Sequence, residues 1–106
     1  MIQAKFSKKT TGNIVSFEMT GHADFAEAGS DIVCAAASVL AQNTVNSIEQ
    51  LAGYQPIVDI DDGYLYFEVL SDLSEQQQKV TNILLDSLLI GLQGIEEGYG
   101  DYIQVI

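Results

Sequence analysis

The sequence predicts an α+β domain, a two-layer sandwich in which two helices pack on one face of a mixed or antiparallel sheet, in the order ββαββαβ. Three observations lead there. Residues 1–20 and 56–70 alternate apolar and polar side chains around a central turn, the period of half-buried strands. The stretch after each hairpin repeats its apolar positions at three- and four-residue steps, the period of an amphipathic helix. Two hairpin-plus-helix units and a short final strand can bury their apolar faces only against one another, in two layers.

The elements follow in order. "MIQAKFS" sets Ile2, Ala4 and Phe6 against polar neighbours and reads as a strand. "KKTTGN" is a turn. "IVSFEMT" then sets Val15, Phe17 and Met19 against Ser16, Glu18 and Thr20, so the two strands form a hairpin. Ser30 or Asp31 is placed to cap a helix. Val33, Ala37, Leu40, Thr44, Ile48 and Leu51 behind it share one face. Gly53 suits the left-handed position past that helix, and Pro56 forbids continuation. In "PIVDIDDGYLYFEVL", Val58 and Ile60 precede the turn "DDG", and Leu65, Phe67 and Val69 alternate after it. Tyr64, Tyr66 and Glu68 are left on the opposite, half-exposed face. Asp72 with Glu75 has the spacing of a capping box. The second helix places Val80, Leu84, Leu88, Gly91 and Ile95 on one face, "GYGD" stops it, and "YIQVI" is the last strand.

At 106 residues the chain is read as a single domain over 1–106. One cysteine permits no internal disulfide, which fits a reducing compartment. The opening residues carry no apolar signal segment, and no run approaches about 18 apolar residues, so a cytoplasmic protein with no membrane partner is expected. The net charge is −11, and the four cations are Lys5, Lys8, Lys9 and Lys79. Such a surface neutralises no phosphate backbone, so no direct nucleic-acid partner is expected. It attracts basic partners and keeps the chain soluble.

The segment "GHADFAEAGSDIVCAAAS", residues 21–38, holds the only histidine, His22, and the only cysteine, Cys34. A cap at Ser30 or Asp31 puts Cys34 in the first helical turn, where unpaired amides and the helix dipole favour a thiolate. His22 leaves the second strand directly and can stand beside that helix start, the arrangement a Cys–His pair requires. The alternatives are a small buried cysteine in the apolar run "VCAAAS", and a metal site from His22, Asp24, Glu27, Asp31 and Cys34. The latter spacing matches no common zinc pattern. The site reading therefore carries no metal and no cofactor. Gly21 and Gly29 bracket the loop as hinges, or they satisfy turn dihedrals.

These residues resemble a known family. Gly21, His22, Ala23, Gly29, Asp31, Ile32, Val33, Cys34, Ala35, Ala36 and Ser38 match the G-H-A … G-x-D-I-V-C-A-A-x-S signature of the bacterial ribosomal-processing cysteine proteases, Prp. Length, element order, acidity and the ending "GIEEGYG" agree as well. The resemblance implies a cysteine endopeptidase that removes a short N-terminal extension from a basic large-subunit ribosomal protein. It makes Cys34 the nucleophile and His22 the base and acid, with Asp31 and Ser38 at supporting active-site positions and a homodimer as the assembly. In that mechanism the helix-start amides, Cys34 N–H among them, are candidates for the oxyanion. Asp31 is read as the helix cap, with orientation of His22 as the second possibility. The rival from another class is a non-catalytic acidic module that docks on basic ribosomal proteins.

Overall fold

A computed structural model gives the fold and describes residues 1–27 and 29–106. The elements come in the expected order: β1 (Ile2–Lys8), β2 (Ile14–Thr20), α1 (Ile32–Ser47), β3 (Ile57–Asp61), β4 (Tyr64–Glu68), α2 (Glu75–Tyr99) and β5 (Ile103–Val105). The strands form one sheet in the order β3-β4-β2-β1-β5. The β1–β5 pair is parallel and the other three are antiparallel, so the sheet is mixed.

Register decides which face is buried. Phe6 lies opposite Phe17, and Phe17 opposite Phe67; Ala4 lies opposite Met19, and Met19 opposite Leu65. Side chains alternate along a strand, so these residues share one face. The Phe17 ring stands 4.8 Å from Phe6 and 5.5 Å from Phe67. Val33, Ala37, Ala41, Thr44 and Val45 of α1 are buried in the same core, with Thr81, Leu85, Leu88 and Leu92 of α2. Both helices thus cover the same face. The other face carries Lys5, Glu18 and Tyr66 in line and stays partly open to water.

Four local expectations are corrected. In β2, Ile14 is buried and Val15 only half-buried, because a bulge between Ser7 and Lys8 shifts the pairing. In the first helix, Leu51 is 65% exposed. The last turn, Ile48–Ala52, widens to an i→i+5 bond from Gly53 N–H to the Ile48 carbonyl, and this carries the buried face onto Ile48 and Ala52. Before α2, the capping box is built two residues past Asp72 and Glu75. Ser74 Oγ accepts from the Gln77 amide, and Gln77 Oε1 accepts from the Ser74 amide, both at 3.1 Å. The α2 stripe is also rotated by one position. Thr81, Leu85, Leu88 and Leu92 are buried, while Val80, Leu84 and Ile95 sit at its margin. Packing against α1 sets this angle: a Cβ on Gly91 would lie 2.9 Å from Leu40 Cδ1, so the helices approach closely there. The buried Thr81 hydroxyl is satisfied by Tyr54 Oη at 2.9 Å.

The β3–β4 hairpin forms as expected, but Val58 and Ile60, on the helix-side face opposite Phe67 and Leu65, are 37% and 56% exposed. β3 is an edge strand beyond the reach of the helices. Among the described residues, no helix is long and apolar enough to cross a membrane.

Candidate active site

The site is built where β2 ends, α1 begins and the β3–β4 turn passes between them. Gly21 follows β2 with φ +89°, and a Cβ there would lie 2.5 Å from the Met1 carbonyl oxygen, so close backbone approach requires glycine. Its N–H donates to the Gly63 carbonyl at 2.9 Å and pins the start of the loop to the β3–β4 turn.

The loop then folds over the helix start. The Ala23 amide donates to Cys34 Sγ at 3.2 Å. The Phe25 and Ala26 amides donate to Asp31 Oδ2 at 3.0 and 3.4 Å. The Phe25 ring meets Tyr99 and Tyr102 edge-on, with centroids 5.6 and 5.1 Å away. Ala28 of this loop lies outside the described residues. Gly29 has φ +89°.

Asp31, not Ser30, is the α1 cap. Its Oδ1 accepts from the Val33 and Cys34 amides, each at 3.0 Å. One carboxylate therefore joins the loop to the helix through four backbone N–H groups. These bonds hold its pKa below the usual carboxylate value. The Cys34 amide contributes most; burial opposes it, and the Ala26 and Phe25 amides add to it. One expectation changes. The Cys34 N–H is taken by Asp31, so it is not a free oxyanion donor. The Asp31 hydrogen bonds go to the loop and helix start, and the carboxylate beside His22 is Asp62.

Cys34 is half-buried and free of any disulfide. Its sulfur sits at the first turn of α1 with the Ala23 N–H aimed at it, so the residue after His22 touches the thiol. The imidazole itself turns to the β3–β4 hairpin, with Nε2 3.9 Å from Asp62 Oδ1. Among the described residues no hydrogen bond joins it to Cys34. Ser38, one helical turn past Cys34, lines a cleft of about 250 Å³ with His22 and Gln42. Met19, Ile60 and Leu65 supply its apolar wall. Among the described residues, no group of three or more His, Cys, Asp or Glu side chains is arranged to hold a metal ion.

In the sequence Asp62 and Gly63 read as a hairpin turn, and Phe25 carries no role. "DDG" specifies a turn but gives no sign of which residue it will face. Only the β4–β2 pairing brings it to His22.

The sequence profile of the cysteine protease Prp family matches residues 1–104. The chain belongs to the Prp family. The ribosomal processing cysteine protease Prp of Bacillus subtilis is 40% identical over 107 residues, covering 99% of this chain and 96% of that protein. Two crystal structures of an essential ribosomal processing protease Prp from S. aureus share the fold. One, with a covalently linked product peptide, has a TM-score of 0.88 at 32% identity and covers 99% of this chain and 97% of the other. The second, with a substrate peptide, has a TM-score of 0.83 at 30% identity and covers 100% and 98%. Prp proteins are cysteine proteases, and this member holds one cysteine, Cys34. Membership makes the chain a cysteine protease.

Proposed function

We propose that this chain is an endopeptidase that removes the short N-terminal extension of a basic large-subunit ribosomal protein, with Cys34 as nucleophile and His22 as proton carrier. The observation that carries the reading is the meeting of the sole cysteine and the His22 segment at the α1 N-terminus, with the Ala23 amide donated to the sulfur. The substrate and product peptides held by the S. aureus relatives support a peptide substrate.

The chemistry follows from the parts. The Ala23 N–H and the N-terminal end of α1 both face the sulfur. The thiolate attacks the scissile carbonyl. The tetrahedral adduct collapses to a thioester as His22 gives its proton to the leaving amine. The neutral imidazole then takes a proton from water as its oxygen attacks the thioester carbon; the C–S bond breaks, the Cys34 thiolate leaves, and the product acid gives its proton to solvent, so thiolate and imidazolium are restored. Seated on the hairpin, the imidazole meets the sulfur through the substrate nitrogen. Ser38 supports the site from the cleft wall, and Asp31 keeps loop and helix in register. The enzyme acts as one domain in the cytoplasm, as a homodimer; Ile32 and Val39 of α1, 54% and 64% exposed, offer apolar surface for a second copy.

Incubation with the host ribosomal protein carrying its encoded extension should yield the shortened protein by mass spectrometry. A docking module would bind it and leave it uncut. With a chain charge of −11 and a basic substrate, the second-order rate should also fall roughly tenfold as salt rises from about 0.01 to 0.1 M, because screening contracts from about 30 to 10 Å. A flat rate would assign the acidity to solubility.

Gly21 and Gly29 are proposed as hinges of the loop that covers the thiol. Opening must break the Phe25 and Ala26 bonds to Asp31 and lift Phe25 from Tyr99 and Tyr102. Hydrogen exchange should therefore show the amides of residues 24–27 exchanging rapidly in the free protein and gaining protection when Cys34→Ala binds uncleaved substrate. Equal protection in both states means a preformed site without a gate.

A further inference from the structure

We infer that the β3–β4 turn is the device that positions the histidine: Gly63 lacks a side chain so that the His22 imidazole can dock, Nε2 first, in the space a Cβ would fill. This rests on His22 as the proton carrier and adds the group that sets its geometry.

A Cβ built on Gly63 would lie 2.8 Å from His22 Nε2 and 3.4 Å from both Cδ2 and Cε1. That pattern means the Nε2 corner of the ring points at the glycine. The Asp62 carboxylate stands 3.9 Å from the same nitrogen. The backbone is coupled as well, since Gly21 N–H donates to the Gly63 carbonyl at 2.9 Å. The turn is in turn fixed by the sheet, where Tyr64 pairs with Thr20 of β2 and with Asp61 of β3.

These contacts matter because the His22 side chain is 57% exposed. Without the notch, a ring this exposed would sample other rotamers. The notch also separates two jobs. The histidine is held by the sheet, through Gly63, whereas the loop beyond it is held by Asp31 and Phe25. Gly63 is a positioning residue: it acts through the imidazole it seats.

Gly63 has φ +65°, so any side chain there also strains the backbone. Gly53 supplies the control, with φ +76° and nothing within 4 Å of an added Cβ. In the full-length protein, Gly63→Ala and Gly53→Ala should lower Tm alike, by about 4–8 °C. Only Gly63→Ala should lose kcat, by about 100-fold, with KM for the extended ribosomal protein held within about twofold, because the exposed ring swings away while the binding cleft remains. Gly63→Asn tolerates the left-handed backbone but keeps a Cβ, so Tm should recover and kcat should not. A Gly63→Asn enzyme that turns over like the Gly53→Ala enzyme overturns the inference. His22→Ala, run in parallel, separates the two readings. If it still cleaves, the histidine assignment fails; if it is inactive while Gly63→Asn is active, only the positioning role fails. The parent protein provides a variant-free test, since its single imidazole should show nuclear Overhauser contacts to the Gly63 α-protons, and their absence overturns the docking.

Discussion

Cys34→Ala should lower cleavage of the extended ribosomal protein by about 10⁴- to 10⁶-fold, because no other group in the chain can form the thioester. Cys34 is the only cysteine, so no neighbouring thiol can substitute. The fold should survive. The side chain is half-buried at the edge of the core, and the smaller residue should shift Tm by about 2 °C or less. His22→Ala should cost a similar factor, and the double variant should be little worse than either single one, since a nucleophile without its proton carrier is already idle. The measurement is the initial rate on the intact ribosomal protein, quantified by mass, with thermal unfolding of each variant as a check. Turnover by Cys34→Ala near the parental rate would end the protease assignment of this site. Additive losses would show that the two residues act separately.

Asp31→Ala should have the next largest effect, and it should reach both stability and rate. Four amides lose their acceptor at once: Val33 and Cys34 at the helix start, Phe25 and Ala26 in the loop. Loss of the cap alone should lower Tm by about 5–10 °C. Release of the loop frees Ala23, whose amide faces the Cys34 sulfur, and the rate should fall about 10- to 100-fold. Asp31→Asn keeps one oxygen acceptor and should fall between the parent and the alanine variant. Acid dependence gives a second signature. The folded carboxyl has a lowered pKa, chiefly through the Cys34 amide, so the unfolded chain binds the proton more readily. Its stabilising contribution is therefore complete above the ordinary carboxyl value near 3.8 and is lost as pH falls through the lower, folded value. Urea midpoints measured from neutral to acid pH should decline in this window for the parent and decline less for Asp31→Asn. Parallel curves would mean that the carboxylate charge does not matter to the fold.

Much of this molecule can be read from local pattern, and the reason is physical. Side-chain period reports backbone geometry within a few residues, so the two hairpins, both helices and their order follow from "IVSFEMT", "YLYFEV" and the apolar steps behind Asp31. Capping is equally local: Asp31 reaches amides two and three positions on, which places Cys34 at the positive end of α1 before any tertiary contact is known. The signature from Gly21 to Ser38 is compact for the same reason, and it carries the family.

What stayed hidden depends on residues distant in the chain. Val58 and Ile60 have the same pattern as buried strand residues, and only the strand order, with β3 at an edge, leaves them in water. The bulge at Ser7 and Lys8 and the wide turn at Ile48–Ala52 each insert a small offset, which a regular period cannot anticipate, and both move a buried face. Phe25 looks like any loop aromatic until α2 and β5 bring Tyr99 and Tyr102 against it. The histidine is the clearest case. Its position in the chain suggests Cys34, yet its ring is seated on Gly63 and Asp62, because β4 pairs with β2 and carries the turn to the end of the strand that His22 leaves. Local sequence sets which backbone each residue adopts; long-range strand pairing sets which side chains that backbone brings together.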